Sequence, residues 1–433
     1  MSSKINVFWF RRDLRLDDNH GLFLALSEKL PVLPIFIFDT NIIKDLPRDD
    51  HRINLIYNRI KILNDYLKTH HNSMILIFKG KPEEVFKEIS KKWQVYKVYA
   101  NEEYEPYSLQ RDKSIKQLLN ENGIQFHPVK DHVIFSPTDI QTDTGKPYRI
   151  YTPFSKKWLY QFHSLSSIPH FPSEKFLNNL YLINTKEFPS LEYLGFKLSS
   201  LTYIPPEEDE IKSVIQNYHK TRNLFGDDKS TTRVSTALRF GFISIRKLVS
   251  LGKNNIVYLK ELIWREFFQH LIYYFPTMIK ENFRNIPIQV ENDEKLFEKW
   301  KNAETGYPLI DAAMNQLNQT GYMHNRLRML VANFLCKILW IDWRWGERYF
   351  AEKLFDFELA SNVGNWQWSA GTGLDASPYF RIFNPELQLK KFDPQGIFLK
   401  KWLPYDPTKP PKKIVNFNER RNLYLNMLKK SIK

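Results

Sequence analysis

The run Ile5-Asn-Val-Phe-Trp-Phe10 is the first of four short, largely apolar stretches near the start of the chain, and Val32-Leu-Pro-Ile-Phe-Ile-Phe38 is the second. Two more lie at 74–78 and 95–100, and stretches with helical spacing separate them. Continuous apolar strands that alternate with helices are typical of a parallel sheet buried on both faces. A fifth run at 124–129 completes a doubly wound α/β domain with a five-stranded parallel sheet, because crossovers between parallel strands are right-handed.

The glycine pattern of this domain excludes the common phosphate-binding loops. Residues 1–130 contain only Gly21, Gly80 and Gly123, and neither G-x-G-x-x-G nor G-x-x-x-x-G-K is present. Ligands of open α/β sheets bind beyond the carboxyl ends of the strands. We therefore expect any ligand of this domain near 9–15, 38–40 and 100–105.

The rest of the chain divides at its prolines and at a change of periodicity. Prolines punctuate residues 131–205, which we interpret as an interdomain linker with one helix near 154–165. From 206 to 433 helical spacing replaces the strand signal, so an all-α domain is predicted. Its helices are expected at 207–221, 231–252, 256–275, 293–302, 308–319, 321–340, 343–354 and 357–368.

The composition narrows the class of protein. The chain has 433 residues, and 42% of them are hydrophobic, which excludes a mainly disordered chain. Its formal net charge of +15 favours a polyanionic partner such as nucleic acid. Residues 399–433 hold ten Lys or Arg against two acidic residues, so a solvated basic tail is an equal explanation for about half of the charge. The single cysteine, Cys336, excludes a disulfide framework and a Cys-rich metal site. The sequence shows neither a membrane-spanning apolar run nor the charge order of a signal peptide, so a cytoplasmic protein is expected.

Tryptophan is concentrated in the helical part, where eight of the eleven lie after residue 260. Such enrichment indicates stacking, electron transfer or a large aromatic core. Trp366 and Trp368 are two residues apart, so on a helix their rings point about 200° apart. Trp343 and Trp345 repeat this spacing. One ring of such a pair would face a planar cofactor and the other a stacked substrate; packing in the core is the alternative.

Two further segments carry candidate binding groups. In Glu261-Leu-Ile-Trp264-Arg265 an acid, an indole and a guanidinium share one helical face, either as a ligand site or as a surface ion pair beside a core tryptophan. The hydroxyls of Ser230-Thr-Thr-Arg-Val-Ser235 precede an apolar helix. They are expected either to cap that helix or to bind a phosphate at its N-terminus.

The segment Gly321-Tyr-Met-His-Asn325-Arg326-Leu-Arg328-Met329 is the most basic of these. Asn325, Arg328 and Met329 share a face, with Arg326 about 100° away. Two guanidinium groups, an amide and a thioether suit an anionic ligand or base edges, and a solvated basic face is the alternative. No second His or Cys lies at ligand spacing from His324, so no metal site is predicted.

Taken together, these segments resemble the photolyase/cryptochrome family. The matching runs, besides 261–267 and 321–329, are Trp9-Phe-Arg-Arg-Asp13-Leu-Arg15-Leu-Asp-Asp18-Asn19, Thr305-Gly-Tyr-Pro-Leu-Ile-Asp311-Ala-Ala-Met, Ile341-Asp-Trp343-Arg-Trp-Gly-Glu-Arg-Tyr-Phe350, and Asn365-Trp-Gln-Trp through Pro378-Tyr-Phe-Arg-Ile-Phe-Asn-Pro385. Within the family the class I cyclobutane pyrimidine dimer (CPD) photolyases are favoured. Six-four photolyases typically have His-rich sequence at 323–329, and DASH-type relatives often have Tyr at 368.

The resemblance implies an antenna-type α/β domain followed by a helical domain that binds FAD. The positions that it assigns to FAD are Tyr218, Thr231, Thr232, Arg233, Ser235, Arg265, Asn325, Arg328, Asp356, Glu358 and Asn362. Among them, Arg328 and Asp356 match an ion pair beside the flavin ring, and Asn362 matches the residue that faces flavin N5. Tyr104-Glu105 resembles the segment that holds an antenna folate in some relatives, and Asn101 is nearby. A deazaflavin, a second flavin or no antenna chromophore are the alternatives.

The implied activity is light-driven repair of CPDs, in which fully reduced FAD donates an electron to a dimer flipped out of DNA. The positions implied to contact the dimer or its phosphates are Arg222, Glu261, Trp264, Arg326, Met329 and Trp368. The two tryptophans would form aromatic walls, Glu261 would support the thymine edge, and Asn325 and Met329 would close the pocket. We expect a monomeric repair enzyme; the alternative is a cryptochrome-type blue-light photoreceptor with little or no repair activity.

The resemblance also implies a tryptophan chain that reduces the flavin in light. Trp366 and Trp343 match its proximal and middle members, but the distal position near 286–291 contains no tryptophan. The sequence therefore predicts slow photoreduction, or an exit for the oxidising equivalent through Trp340, Trp345 or a tyrosine, with repair intact.

Overall fold

The computed structural model describes residues 4–183, 187–284, 290–378 and 380–431. The chain forms two compact units. The first contains residues up to 139, 161–205 and 234–251, and the second contains 140–160, 206–233 and 252 onward. This division follows packing rather than sequence order, so the boundaries proposed at 130 and 205 stay predictions.

The sheet of the first unit has five strands, namely β1 Ile5–Phe10, β2 Val32–Asp39, β3 Leu76–Gly80, β4 Val95–Asn101 and β5 Gln125–Val129. They are parallel and lie in the order β3-β2-β1-β4-β5. The strand order reverses its direction at β1, which pairs with β2 on one side and with β4 on the other. This is a doubly wound topology, and the predicted α/β fold class is confirmed.

The central strand serves two hydrophobic cores, because successive side chains point to opposite faces of a sheet. Phe8 and Phe10 belong to one buried cluster, whereas Val7 and Trp9 belong to the other. All six residues of β1 are buried. Since a fully buried large apolar side chain contributes about 1.5–3 kcal/mol, the apolar run that begins the chain stabilises both layers.

Helices form most of the remaining regular structure of the described residues. In chain order they are α1 His20–Ser27, α2 Thr40–Ile43, α3 His51–His71, α4 Pro82–Lys92, α5 Pro106–Glu121, α6 Tyr151–His163, α7 Leu191–Leu194, α8 Glu208–Thr221, α9 Ser235–Arg239, α10 Ile245–Gly252, α11 Ile256–Tyr274, α12 Glu294–Lys301, α13 Pro308–Thr320, α14 Asn325–Lys337, α15 Trp343–Lys353, α16 Leu359–Ala370, α17 Pro385–Phe392, α18 Ile397–Trp402 and α19 Phe417–Ser431. Short 3-10 helices occur at Ser173–Asn179 and Pro276–Ile279. In the described part of the chain, no helix has both the length and the apolar character that crossing a membrane requires.

The second unit is helical, and α16 is its central element, packed against α11, α14 and α15. Two glycines permit this close packing. A Cβ atom on Gly364 of α16 would overlap the ring of Phe268 on α11, and one on Gly346 of α15 would overlap the ring of Trp366 on α16. Three helices that carry predicted site residues, α11, α14 and α15, therefore all contact α16.

Two predicted helices are interrupted or shortened at glycines with positive φ. The segment 231–252 divides into α9 and α10 because Gly241 has a φ of +66°, and a Cβ atom at this position would overlap the backbone of Arg12. The segment 321–340 becomes helical only at Asn325, since Gly321, with a φ of +64°, ends α13. Helices α17, α18 and α19 follow where none was predicted.

Candidate active site

Glu261 of α11 forms an ion pair with Arg222, which ends α8. The distance between Arg222 Nη1 and Glu261 Oε1 is 2.7 Å, and the two side chains remain 26% and 28% exposed. Burial raises the pKa of Glu261 above its usual value, and Arg222 opposes this shift. Two residues that were assigned separately to the substrate are therefore in direct contact.

The indole of Trp264 lies face to face with the ring of Tyr151. The ring centroids are 3.6 Å apart and the planes differ by 5°. The Tyr151 hydroxyl donates a hydrogen bond to the carbonyl oxygen of Lys260 at 3.0 Å, and its backbone N–H donates to Asp375 Oδ2 at 2.7 Å. Tyr151 thus fixes one face of the indole. It was not predicted, because no local pattern links it to α11.

Two guanidinium–carboxylate pairs connect α11 and α14 to the segment before α16. Arg265 Nη2 lies 3.1 Å from Glu358 Oε1. Arg328 binds Asp356 through both terminal nitrogens, at 3.1 and 2.9 Å. This bidentate geometry fixes the plane of the guanidinium group. The structure contains the ion pair between Arg328 and Asp356; its place beside a flavin ring stays a prediction.

His324 caps the N-terminus of α14. Its Nδ1 accepts a hydrogen bond from the backbone N–H of Arg326 at 3.1 Å. Burial, together with the charges of Arg326 and Arg328, lowers the pKa of His324 to about 3. The imidazole is therefore neutral near pH 7, and its role in this structure is to cap the helix.

The side chains at the start of α14 differ in their contacts with other residues and in their exposure to solvent. Arg326 Nη2 donates to Asn223 Oδ1 at 2.6 Å, and its guanidinium carbon lies 4.0 Å from the ring centroid of Phe392. Asn325 is exposed and Met329 is half-buried. Arg326 is thus held beside the start of the helix, while Asn325 and Met329 keep accessible surface for a ligand.

Thr231 and Arg233 both contact Tyr322. The distance between Thr231 Oγ1 and the Tyr322 hydroxyl is 3.3 Å, and the Arg233 guanidinium lies 5.0 Å from the ring centroid. Arg233 also pairs with Asp228 at 2.7 Å. This arrangement places a hydroxyl and a guanidinium donor together, which is the donor chemistry that binds phosphate.

The other residues predicted for the pyrophosphate are more dispersed. Thr232 is buried, and Tyr218 is buried with its ring at 5.1 Å from that of Tyr258 in an edge-to-face arrangement. Ser235 begins α9 and belongs to the first unit. Whether these residues contact a cofactor stays a prediction.

The amide of Asn362 on α16 is oriented by Glu347 on α15, a residue that was not predicted. Asn362 Nδ2 donates to the carbonyl oxygen of Glu347 at 3.0 Å and to its Oε1 at 2.8 Å. Burial raises the pKa of Glu347, and the hydrogen bond from Asn362 opposes the shift. Since both partners are acceptors, the amide nitrogen faces them and Oδ1 is left as an acceptor for an N–H group.

The tryptophans of α15 and α16 differ in burial. Trp366 and Trp343 are buried, and Trp343 Nε1 donates to Asn282 Oδ1 at 2.8 Å. Trp368 is half-buried, as expected for a ring on the opposite side of the helix from Trp366. The predicted distal position at 286–291 lies mostly outside the described residues, which omit 285–289.

The two predicted antenna residues lie at the carboxyl end of β4 and just beyond it. The amide of Asn101 is buried, donates to Asn19 Oδ1 at 2.8 Å and accepts from the backbone N–H of Gly21 at 2.9 Å. Glu105 Oε1 lies 4.0 Å from Arg12 Nη1. Both side chains are engaged within the protein, and their antenna role remains a prediction.

The donor set of the second unit suits FAD. The hydroxyl and guanidinium groups at 231–233 match an anionic pyrophosphate, and the fixed guanidinium of Arg328 matches a carbonyl edge. Asn362 Oδ1 provides an acceptor for a ring N–H. These groups are those expected of a flavoprotein that combines an α/β unit with a helical unit.

Sequence comparisons agree with that class. The sequence model of the DNA photolyase family matches residues 6–174, and that of the FAD binding domain of DNA photolyase matches residues 258–429. A deoxyribodipyrimidine photo-lyase from Synechococcus sp. is 36% identical over 92% of this chain and 87% of its own length. The enzyme of that name from Vibrio cholerae is 35% identical over 92% and 90%.

Solved structures show the same relationship. An archaeal photolyase from Sulfolobus tokodaii, solved with two FAD molecules, superposes with a TM-score of 0.85 and 34% identity over 99% of this chain and 100% of that one. A cryptochrome from Synechocystis superposes with a TM-score of 0.83 and 25% identity over 99% of each chain. The chain belongs to the photolyase/cryptochrome family, and its helical domain is an FAD-binding domain.

Proposed function

We propose that this protein repairs cyclobutane pyrimidine dimers in DNA in a light-driven reaction. The observation that supports this most is the grouping on α11 of Glu261, paired with Arg222 at 2.7 Å, and Trp264, held by Tyr151. A part-exposed acid and a fixed indole on one helical face can bind the polar edge and the flat face of a pyrimidine. Relatives named deoxyribodipyrimidine photo-lyase that match 92% of the chain support the same activity.

In this proposal the dimer leaves the duplex before it binds, because a base inside the stack cannot reach a buried cofactor. Trp264 and Trp368 stack against it, and stacking contributes about 1–3 kcal/mol per base. Asn325 and Met329 close the pocket, and Arg326 contacts a phosphate or the edge of the lesion. The net charge of +15 strengthens association with DNA of any sequence.

The cofactor, when bound, absorbs light and supplies the electron that opens the dimer. The side chains bind, orient and stabilise charge. Arg328, fixed by Asp356, and Asn362, oriented by Glu347, hold the ring system. Thr231, Thr232 and Arg233, with Tyr218, bind the pyrophosphate. The reaction is redox-neutral, so the protein has no net electron to replace after each repair.

Glu261 has a specific task in this scheme. Burial raises the pKa of its carboxyl group, so Oε1 or Oε2 holds a proton more readily than an exposed carboxyl group does. A protonated Glu261 donates a hydrogen bond to a pyrimidine carbonyl oxygen, which stabilises negative charge on the ring as it opens. Arg222, whose Nη1 lies 2.7 Å from Glu261 Oε1, adds a positive charge beside this carboxyl group.

The test is repair by the purified, FAD-loaded protein after chemical reduction. An oligonucleotide with a single thymine dimer is illuminated with the protein, and the restored thymines are counted by chromatography. We expect Glu261→Ala to lower the repair yield more than it weakens DNA binding, and Trp264→Ala to weaken binding most. Glu352→Gln, at a side chain that is 51% exposed, serves as the matched control and should change neither quantity.

One outcome contradicts the proposal directly. If the fully reduced protein binds dimer-containing DNA but restores no thymines in light, the photoreceptor alternative replaces repair. The similarity to the Synechocystis cryptochrome makes this the second candidate function.

A further inference from the structure

An aromatic cluster leads from Trp366 toward the solvent side of α15. The ring centroids of Trp366 and Trp300 are 6.3 Å apart, and those of Trp300 and Tyr349 are 5.9 Å apart. Phe350 packs against both indoles, at 5.0 Å from Trp366 and 6.2 Å from Trp300. We call these four residues the Trp300 cluster.

The two ends of the Trp300 cluster differ in their access to water. Trp300 is fully buried, and its Nε1 donates to the carbonyl oxygen of Val331 at 3.3 Å. Tyr349 is half-buried, and its hydroxyl donates to Asn318 Oδ1 at 2.6 Å. Burial, and the charge of Glu352, raise the pKa of Tyr349, so its phenol is protonated in the resting protein. The cluster thus begins in the core and ends at a half-buried tyrosine.

The branch through Trp343 has no such continuation in the sequence. Positions 286–291, where the distal tryptophan is expected, contain no aromatic residue. The Arg344 guanidinium lies 4.8 Å from the Trp343 ring, with Asp342 paired to that arginine. Trp340 belongs to a different hydrophobic cluster, formed with α19.

We propose that the Trp300 cluster is the route by which electrons reach Trp366 when light reduces the cofactor. This inference rests on the proposed function and on the family resemblance, which implies that Trp366 is the member of the tryptophan chain nearest to FAD. Trp366 gives one electron to the photoexcited cofactor. Trp300 then reduces the oxidised Trp366 by one electron, and Tyr349 reduces the oxidised Trp300 in the same way. The oxidised Tyr349 releases its phenolic proton to water and becomes a neutral tyrosyl radical. A thiol then returns one hydrogen atom, an electron with a proton, to Tyr349 and becomes a thiyl radical.

Two ion pairs surround the Tyr349 ring. Lys301 and Lys353 lie 5.7 and 5.6 Å from its ring centroid, and they pair with Glu298 at 2.7 Å and with Glu352 at 3.0 Å. The tyrosyl radical that remains after loss of an electron and a proton is also neutral, so its formation leaves the charge balance around the ring unchanged.

The experiment follows radicals rather than repair. FAD-loaded wild-type protein with oxidised cofactor is illuminated without oxygen, in the presence of a thiol. Transient absorption and electron paramagnetic resonance identify the terminal radical, and steady absorbance reports net reduction of the cofactor. We expect a tyrosyl radical in the wild type, its loss in Tyr349→Phe, and lower net photoreduction in Tyr349→Phe and Trp300→Phe.

Two controls separate electron transfer from folding. Tyr349→Phe keeps the ring and its packing, so its cofactor content and melting temperature should match the wild type. Trp340→Phe removes a tryptophan from the other cluster and should leave the tyrosyl radical in place. The proposal is overturned if the terminal radical is an indole, or if photoreduction survives Tyr349→Phe but is lost in Trp343→Phe or Trp345→Phe. Repair by the chemically reduced wild type is measured separately, so its absence contradicts the proposed function without deciding the electron route.

Discussion

Arginines and carboxylates come together in two regions of the molecule. The first region is the network of Arg15, Asp131 and Arg246 in the first unit, and the second is the candidate active site of the second unit. The two regions differ in how far these side chains are exposed to water. In the first region, Asp131 lies 2.6 Å from Arg15 and 2.8 Å from Arg246, and these side chains are 1–5% exposed. In the candidate active site, the side chains of Arg222, Glu261 and Arg328 are 26–28% exposed, whereas those of Arg265, Asp356 and Glu358 are 5–12% exposed.

This difference separates a structural network from a binding site. Removing water from charged groups is costly, so a fully buried charge needs permanent partners inside the protein. A part-exposed pair costs little to separate and can exchange its partner for a ligand. Asn101, which the sequence placed in an antenna site, has its amide engaged by buried neighbours in the manner of the first region.

The largest expected effect breaks the first region. Asp131→Ala leaves Arg15 and Arg246 buried without their carboxylate. Loss of one partner of a buried ion pair typically lowers the free energy of unfolding by about 3–5 kcal/mol. Urea unfolding of the purified protein measures it. Asp139→Asn, which removes an exposed ion pair with Lys130, is the control and should cost less than about 1 kcal/mol. Equal effects of the two changes would remove the distinction between the regions.

A second change disturbs the packing of the second region without touching a charge. Gly346→Ala introduces a methyl group into the space occupied by the Trp366 ring. Overpacking of this kind costs about 1–3 kcal/mol. Thermal melting should show the loss, and the tryptophan fluorescence spectrum should shift as Trp366 moves. An unchanged melting temperature and spectrum would show that α15 and α16 adjust freely.

The sheet was predictable because its strands are continuous apolar runs, and the long helices because their apolar residues recur at helical spacing. The breaks at Gly241 and Gly321 were not, since a glycine ends a helix only where the neighbouring structure requires positive φ. In the site, helical spacing grouped residues of one helix, such as Glu261, Trp264 and Arg265, on a common face, and their shared role stays a prediction. Partners from distant parts of the chain, such as Tyr151 on Trp264 and Trp300 on Trp366, leave no local signal and required the structure.

His324, in the second region, is buried like the charged groups of the first region, and its contribution to folding stability depends on pH. The pKa of His324 is about 3 in the folded protein, below the 6.5 of a free histidine. The unfolded chain therefore takes up a proton first, so stability is complete above pH 6.5 and falls as the pH drops toward 3. At pH 5 the expected loss is about 2 kcal/mol, at 1.4 kcal/mol per pH unit.

His324→Asn tests this assignment, since asparagine also caps helices but does not titrate. Urea unfolding between pH 7 and pH 5 should show a smaller loss of stability in this variant than in the wild type. His219→Asn, at an exposed position on α8, is the control and should retain the wild-type pH dependence. A wild-type slope in His324→Asn would assign the acid sensitivity to other groups.

The smallest expected effect concerns Trp264, the part-exposed indole of the second region, and how firmly its neighbours fix its position. Tyr151→Ala removes the ring stacked 3.6 Å from Trp264, and an aromatic pair is worth about 0.5–1.5 kcal/mol beyond its buried area. We expect weaker binding of a dimer-containing oligonucleotide, by up to about tenfold, with little change for undamaged DNA. Tyr151→Phe keeps the stack and loses only the hydrogen bond to Lys260, so its affinity should lie close to that of the wild type. If both variants weaken dimer binding equally, the hydroxyl rather than the stacked ring positions Trp264; if neither does, the indole is held by α11 alone.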